Sequence, residues 1–173
     1  DKKELKFIKN HLVDEINKVF KEKNNSVEYH IGTMIEIPRA ALLADEIAEE
    51  ADFFSYGTND LTQMTFGFSR DDSNKFLFDY MNHDVFSTNP FSTLDKKGVG
   101  KLIEMSAQLG RTTNKNIKLG ICGEQAGDPE ALELYSKLGI TYLSCSPFRI
   151  PLVKLALAKF AINQDSAEQS ITN

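Results

Sequence analysis

Four short apolar runs in this sequence each stop at residues able to do chemistry. MIEIP carries Glu36, FFSYG closes on Gly57 and leads into Thr58-Asn59-Asp60, IKLGIC ends in Cys122 before Gly123-Glu124-Gln125, and ITYLSC holds Tyr142 and Ser144, with Ser146 just beyond. The two-residue period of a strand puts Ile35 and Ile37 on one side and Met34 and Glu36 on the other. It likewise sets Ile117, Leu119 and Ile121 apart from Cys122, so the thiol points where Glu36 points. A carboxylate at the last inward position of an apolar parallel strand is costly unless it binds something. Glu36 and Asp60, from adjacent strand ends and with no histidine at ligand spacing, suit a hard cation such as Mg²⁺. Such an ion is held by one or two carboxylates, with substrate and water oxygens completing its shell.

Each signal also has a plainer reading. Glu36 can pair with Arg39, and GTND can be a turn whose Asn or Asp caps the next helix. Cys122 can be a small buried hydrophobe, as Cys145 is expected to be. Tyr142 can be a packed ring, and the serine hydroxyls can cap the helix after Pro147. His11, His30 and His83 lie far apart in sequence and form no cluster. Phe76, Phe78, Tyr80 and Phe86 can pin down a long loop, the favoured reading, or form an aromatic binding surface.

The elements that must position these residues follow from hydrophobic period and punctuation. Leu5, Ile8, Leu12, Ile16 and Phe20 predict an amphipathic helix over residues 4–22. VEYHIGTMIEIP (27–38) reads as a strand stopped by Pro38, which opens a helix through PRAALLADEIAEEA. A strand at 52–56, a GTND turn and a helix-like LTQMTFGF follow; residues 69–98 read as loop. Val99, Leu102, Met105 and Leu109 restore a helical period, and IKLGIC (117–122) is the next strand. Asp128 with Pro129 is expected to start a helix that Gly139 closes. ITYLSC (140–145) is the last strand, Pro151 opens IPLVKLALAKFAI, and residues 163–173 are expected to be a flexible tail.

One helix followed by four strand-and-helix units predicts an α/β fold with a parallel sheet covered by helices. A TIM (β/α)8 barrel takes eight such units and usually about 250 residues; this chain supplies about half. Chemistry gathered at the C-terminal ends of consecutive parallel strands is where such barrels keep their active sites.

Composition narrows the function. Across 173 residues, 20 Lys and Arg face 25 Asp and Glu, a net charge of −5 without a basic run, which argues against nucleic acid as partner. No stretch approaches 18 consecutive apolar residues, so no membrane span is expected. Two cysteines and no signal-like start suit a reducing, cytoplasmic setting, with an organelle open if a targeting segment lies upstream.

GTMIEIPRAALLADEIAEEADFFSYGTNDLTQ followed by KLGICGEQAGDP resembles the phosphoenolpyruvate-utilising enzymes, over residues 4 to about 162. TFGFSRDD and SCSPFRIPLVKLALAKFAI are most similar to the dikinase branch of that family. The resemblance implies that residues 1–173 are the second half of a C-terminal pyruvate- or phosphoenolpyruvate-binding barrel. It implies Glu36 and Asp60 as Mg²⁺ ligands, Gly57, Thr58, Asn59 and Tyr142 as further substrate-binding residues, and Cys122 as the acid–base thiol. The branch reaction is ATP + phosphate + pyruvate to AMP + diphosphate + phosphoenolpyruvate by way of a phosphohistidine. A phosphohistidine domain elsewhere in the full protein and a homodimer through the barrel are the implied partners. The alternatives are a synthase barrel, a sugar-transport phosphorelay enzyme of the same family, or a non-catalytic dimerisation module. No phosphohistidine motif of the TSH type occurs here, and the only arginines are Arg39, Arg70, Arg111 and Arg149. The family's substrate-clamping arginines come from barrel strands that precede these.

Overall fold

The alternation of apolar runs with helical stretches builds a parallel sheet. The computed structural model describes the backbone of residues 1–171 and the side chains of residues 1–163. The described residues form β1 (Thr33–Ile35), β2 (Phe53–Gly57), β3 (Lys118–Cys122) and β4 (Tyr142–Leu143), side by side in sequence order and parallel throughout. β1 and β4 are the two edges, and the sheet does not close on itself. The helices are α1 (Lys2–Lys23), α2 (Pro38–Leu42), α3 (Ala44–Ile47), α4 (Thr58–Phe66), α5 (Arg70–Ser73), α6 (Leu77–Asn82), α7 (Val99–Thr113), α8 (Leu132–Lys137) and α9 (Ile150–Ile171). Among the described residues no helix is long and apolar enough to cross a membrane.

The register fixes which side chains share a face. Ile35, Tyr56, Ile121 and Leu143 line up across the four strands, with Phe54 and Leu119 two residues earlier on the same side. Ile35, Phe54, Tyr56, Leu119 and Ile121 are wholly buried, in one core with Ala41 of α2, Ala44 of α3 and Val99, Ile103 and Ala107 of α7. The approach of α7 is close: a Cβ on Gly110 would fall 2.7 Å from the Phe54 ring. The opposite row, Met34, Ser55, Gly120 and Tyr142, faces away from these helices. There Met34 is 46% and Tyr142 38% exposed, so one face of a parallel sheet is bare, where such sheets are normally covered on both sides.

Several boundaries differ from those expected, each for a local reason. The run at 27–38 is strand only over Thr33–Ile35, where β1, with a single neighbour, pairs with Phe54–Tyr56 of β2. The helix expected through residues 38–51 is broken at Leu43 (φ −113°, ψ 29°) into α2 and α3. α4 starts at Thr58, taking in the GTND turn. Asp128 does not cap α8: its carboxylate accepts the N–H groups of Glu130 and Leu94, and the helix proper starts at Leu132. Gly139 does end α8, at φ +65°, a conformation that favours glycine. The last strand shrinks to Tyr142–Leu143, and α9 starts at Ile150 behind a 3₁₀ turn, Pro147–Arg149, whose Ser146 makes no side-chain cap. The tail expected beyond Asn163 lies outside the residues described in full.

The segment at 69–98 is not plain loop but contains α5 and α6. Phe66, Phe68, Phe76, Tyr80 and Phe86 form a closed cycle of ring contacts, with centroids 5.2 to 5.6 Å apart. Phe91 joins it through Phe68. Aromatic pairs at these separations are attractive beyond the area they bury, and they tie the segment to the end of α4. Of the aromatics singled out in sequence, Phe78 stands apart at 67% exposed.

Candidate active site

The candidate residues gather at the C-terminal rim of the bare face. Gly57 and Cys122 are register partners on β2 and β3, and Glu36 follows β1 beside them. A Cβ on Gly57 would lie 2.6 Å from Glu36 Oε2 and 2.9 Å from Met34 Sδ. Glycine is therefore what lets the Glu36 carboxylate lie across the end of β2. Cys122 flanks the same glycine on its other side. The thiol accepts a hydrogen bond from Ser55 Oγ and donates to the Tyr56 carbonyl, each at 3.4 Å, so it is held on the sheet.

Burial lifts the Glu36 carboxyl above the usual carboxylate range, and the neighbouring Asp60 charge lifts it further. Asp60 lies in the first turn of α4 and is exposed. Glu36 and Asp60 both offer hard oxygen donors, the kind of group a divalent cation takes. Arg39, the plainer partner for Glu36, instead pairs with Asp1 at 3.4 Å. No group of three or more His, Cys, Asp or Glu gathers among the described residues, so any cation held by this pair needs substrate and water oxygens as well.

The remaining site residues take different positions. Asn59 Oδ1 accepts the N–H of Glu124 at 3.1 Å, which turns the amide NH₂ away from the loop after β3. The Thr58 side chain is fully buried, its Oγ1 2.7 Å from Gln125 Oε1 and 2.9 Å from the Cys122 carbonyl. What Thr58 leaves toward the rim is backbone, where first-turn N–H groups of a helix lack intrahelical partners and favour anions. Tyr142 lies flat over Gly120, where a Cβ would fall 1.9 Å from its ring, and its hydroxyl donates to the Phe54 carbonyl at 3.4 Å. Its ring thus floors the bare face below the rim.

Sequence reasoning passed over two contributors. Arg70 of α5 reaches Glu124 at 2.7 Å, bringing a cation from the inserted segment to the loop after Cys122. Gln125, next to it, is fully buried among three elements. A buried glutamine has no periodic signature, but its place three residues after the thiol was visible.

Residues 1–162 match the family described as PEP-utilising enzyme, PEP-binding domain. The chain belongs to this family. It is 58% identical over 163 residues to the pyruvate, phosphate dikinase of Clostridium symbiosum, covering 94% of this chain and 19% of that protein. It is 54% identical over 156 residues to the chloroplastic pyruvate, phosphate dikinase 1 of Arabidopsis thaliana, with 88% and 16% covered. The corresponding rice protein is 53% identical over 153 residues, with 86% and 16% covered. This PEP-binding domain chain thus spans under a fifth of the length of these curated relatives.

The raised Glu36 carboxyl has a measurable consequence for the PEP-binding domain. Glu36 holds its proton more tightly folded than unfolded. Its contribution to stability is therefore fully present below the ordinary carboxylate value and is lost as pH rises through the raised one. Without divalent cation, wild-type stability should decline relative to Glu36→Gln as pH rises from the ordinary carboxylate value through the raised one. Saturating Mg²⁺ should remove that decline, because a cation rewards the ionised form. Urea unfolding of both proteins across this range, in chelator and in Mg²⁺, checks it; parallel curves for the two proteins would contradict the assignment.

Proposed function

We propose that the chain is the pyruvate-side half of a dikinase (β/α)8 barrel, the part of a phosphotransferase that interconverts pyruvate and phosphoenolpyruvate. The observation that carries this reading is the row formed by Glu36, Gly57 and Cys122 along one sheet end, with Asp60 opening the adjoining helix. The overall reaction under this proposal is the one the resemblance implies: ATP, phosphate and pyruvate to AMP, diphosphate and phosphoenolpyruvate, through a phosphohistidine on another domain. The first half of the barrel and a second copy of the protein are its further partners under this proposal.

Glu36 and Asp60 are the residues that would hold Mg²⁺. When bound, that ion lowers the acidity barrier at the pyruvate methyl group and offsets the charge of the enolate. The chain's own side chains do the rest. Cys122, held on the sheet by Ser55 and the Tyr56 carbonyl, gives its S–H proton to the enolate carbon as the methyl C–H bond forms; in the other direction the thiolate takes that proton back. The Asn59 NH₂ group and the first-turn N–H groups of α4 donate to substrate oxygens, where phosphoryl transfer needs positioning and charge stabilisation. Tyr142 closes the floor of the pocket against water.

The test is exchange of pyruvate methyl protons with solvent, measured by NMR on the intact protein that carries this chain. Cys122→Ala should slow exchange by roughly 10²-fold or more, the usual share of a positioned acid–base group. Cys145→Ala should leave it near wild type, since Cys145 lies past β4 on the helix-packed side. Equal behaviour of the two variants would return Cys122 to a packing role.

A further inference from the structure

We propose that Gln125 is a positioning residue that holds the Cys122 thiol at its working place, a role that rests on the acid–base reading of Cys122. Between the two residues the chain turns at Gly123, whose φ of 97° and ψ of −178° belong to a region essentially reserved for glycine. A Cβ there would also fall 2.6 Å from Thr58 Oγ1. This turn sends Cys122 to the bare face and Gln125 into the interior. A hinge of that kind stays put only if its far end is fastened.

Gln125 is that fastening. Its Nε2 donates to the Pro90 carbonyl at 3.0 Å, and its Oε1 accepts from the Thr58 hydroxyl at 2.7 Å. Because a carbonyl can only accept, the Pro90 contact fixes which end of the amide is nitrogen. The Gln125 backbone carbonyl accepts from the Tyr135 hydroxyl at 3.1 Å and from the Asp128 N–H at 3.1 Å. The side chain has no exposed surface, and Pro90 and Tyr135 are buried with it. One glutamine therefore joins the end of the inserted segment, the first residue of α4, the turn before α8 and the loop that bears the thiol.

Thr58 makes the link to the site direct. Its single hydroxyl proton sits between Gln125 Oε1 and the Cys122 carbonyl, 2.7 and 2.9 Å away. Losing the glutamine acceptor leaves the hydroxyl to Cys122 alone and leaves the buried Pro90 carbonyl without its donor. The loop then has reason to move, since an unsatisfied buried carbonyl is costly. Any movement is taken up at Gly123 and passed to the thiol one residue away.

The experiment uses Gln125→Met in the intact protein, which keeps the volume and loses both hydrogen bonds. Iodoacetamide labelling, followed by mass spectrometry of the two cysteine peptides, reports Cys122 against Cys145 as internal reference. Cys122 should label roughly tenfold faster relative to Cys145, as its hold on the sheet loosens. Pyruvate proton exchange should lose roughly 10²-fold in kcat with KM little changed, as for a reacting group misplaced by about 1 Å. If Gln125→Met does not fold, Tyr135→Phe removes one bond to the same loop and should raise the Cys122-to-Cys145 labelling ratio a few-fold. An unchanged labelling ratio in the folded variants overturns the proposal, as does a rise in KM with kcat retained. Wild-type protein that exchanges no pyruvate protons would overturn the pyruvate reading instead, while the labelling ratio still decides the role of Gln125.

Discussion

Glu36→Ala in the intact protein should abolish pyruvate proton exchange and phosphoenolpyruvate formation while sparing the partial reaction between nucleotide and phosphohistidine. The Glu36 carboxylate lies across the sheet end, in space that the missing Cβ of Gly57 leaves free. Under the proposed metal site the loss should be large, because the variant would remove one of two carboxylates that hold the ion, and an enolate without its cation is poorly stabilised. Asp60→Asn should resemble it, since Asp60 is the second carboxylate of the proposed metal site. Gly57→Ala should fall in the same class without replacing either carboxylate, because its Cβ would occupy space 2.6 Å from Glu36 Oε2. Calorimetry with oxalate as an enolate mimic separates the steps: binding that depends on Mg²⁺ in wild type should vanish in all three variants. Normal turnover in Glu36→Ala would remove the metal assignment, and oxalate binding indifferent to Mg²⁺ would favour an assembly role for the sheet.

Much of this was legible because strands have a two-residue period. Ile35 and Glu36 had to face opposite ways, as did Ile121 and Cys122, and the register sets Gly57 beside Cys122 as that period requires. Glu36 and Asp60 could be paired in advance because each followed an apolar run. What escaped was whatever depends on contact between distant segments. Nothing in VEYHIG says that β1 will be three residues long, since strand length is decided by how far the neighbour reaches. Nothing near Thr58 says that its hydroxyl turns inward to Gln125. Arg70 looked like one charge in a polar loop until α5 brought it to Glu124. In the inserted segment the rings of Phe76, Tyr80 and Phe86 do pin the chain, as part of a closed cycle, whereas Phe78 stays exposed.

The 173-residue chain by itself should not persist as a well-folded monomer at micromolar concentration. β1 and β4 each present an edge with unpaired N–H and C=O groups, and edges of this kind template pairing with other chains. The face between them exposes Met34 and Tyr142, and the Tyr142 ring lies over Gly120. Outside the sheet, α1 has no buried residue and leaves Phe7, Ile8, Leu12 and Val19 exposed, while Ile150, Leu152 and Leu155 of α9 are open in the same way. A few hundred Å² of apolar surface left in water forfeits on the order of 5 to 10 kcal/mol. That is comparable to the entire stability of an ordinary domain. The well-packed side of the sheet, from Ile35 to Ile103, argues for a folded core but does nothing for the bare side. Light scattering on the purified chain should therefore show association that reverses only slowly on dilution, and adding the first half of the proposed barrel should convert it to a defined complex. A sharp unfolding transition from a monomer, unchanged by that addition, would mean that four strands and their helices suffice, and the case for a missing half would lose its energetic support.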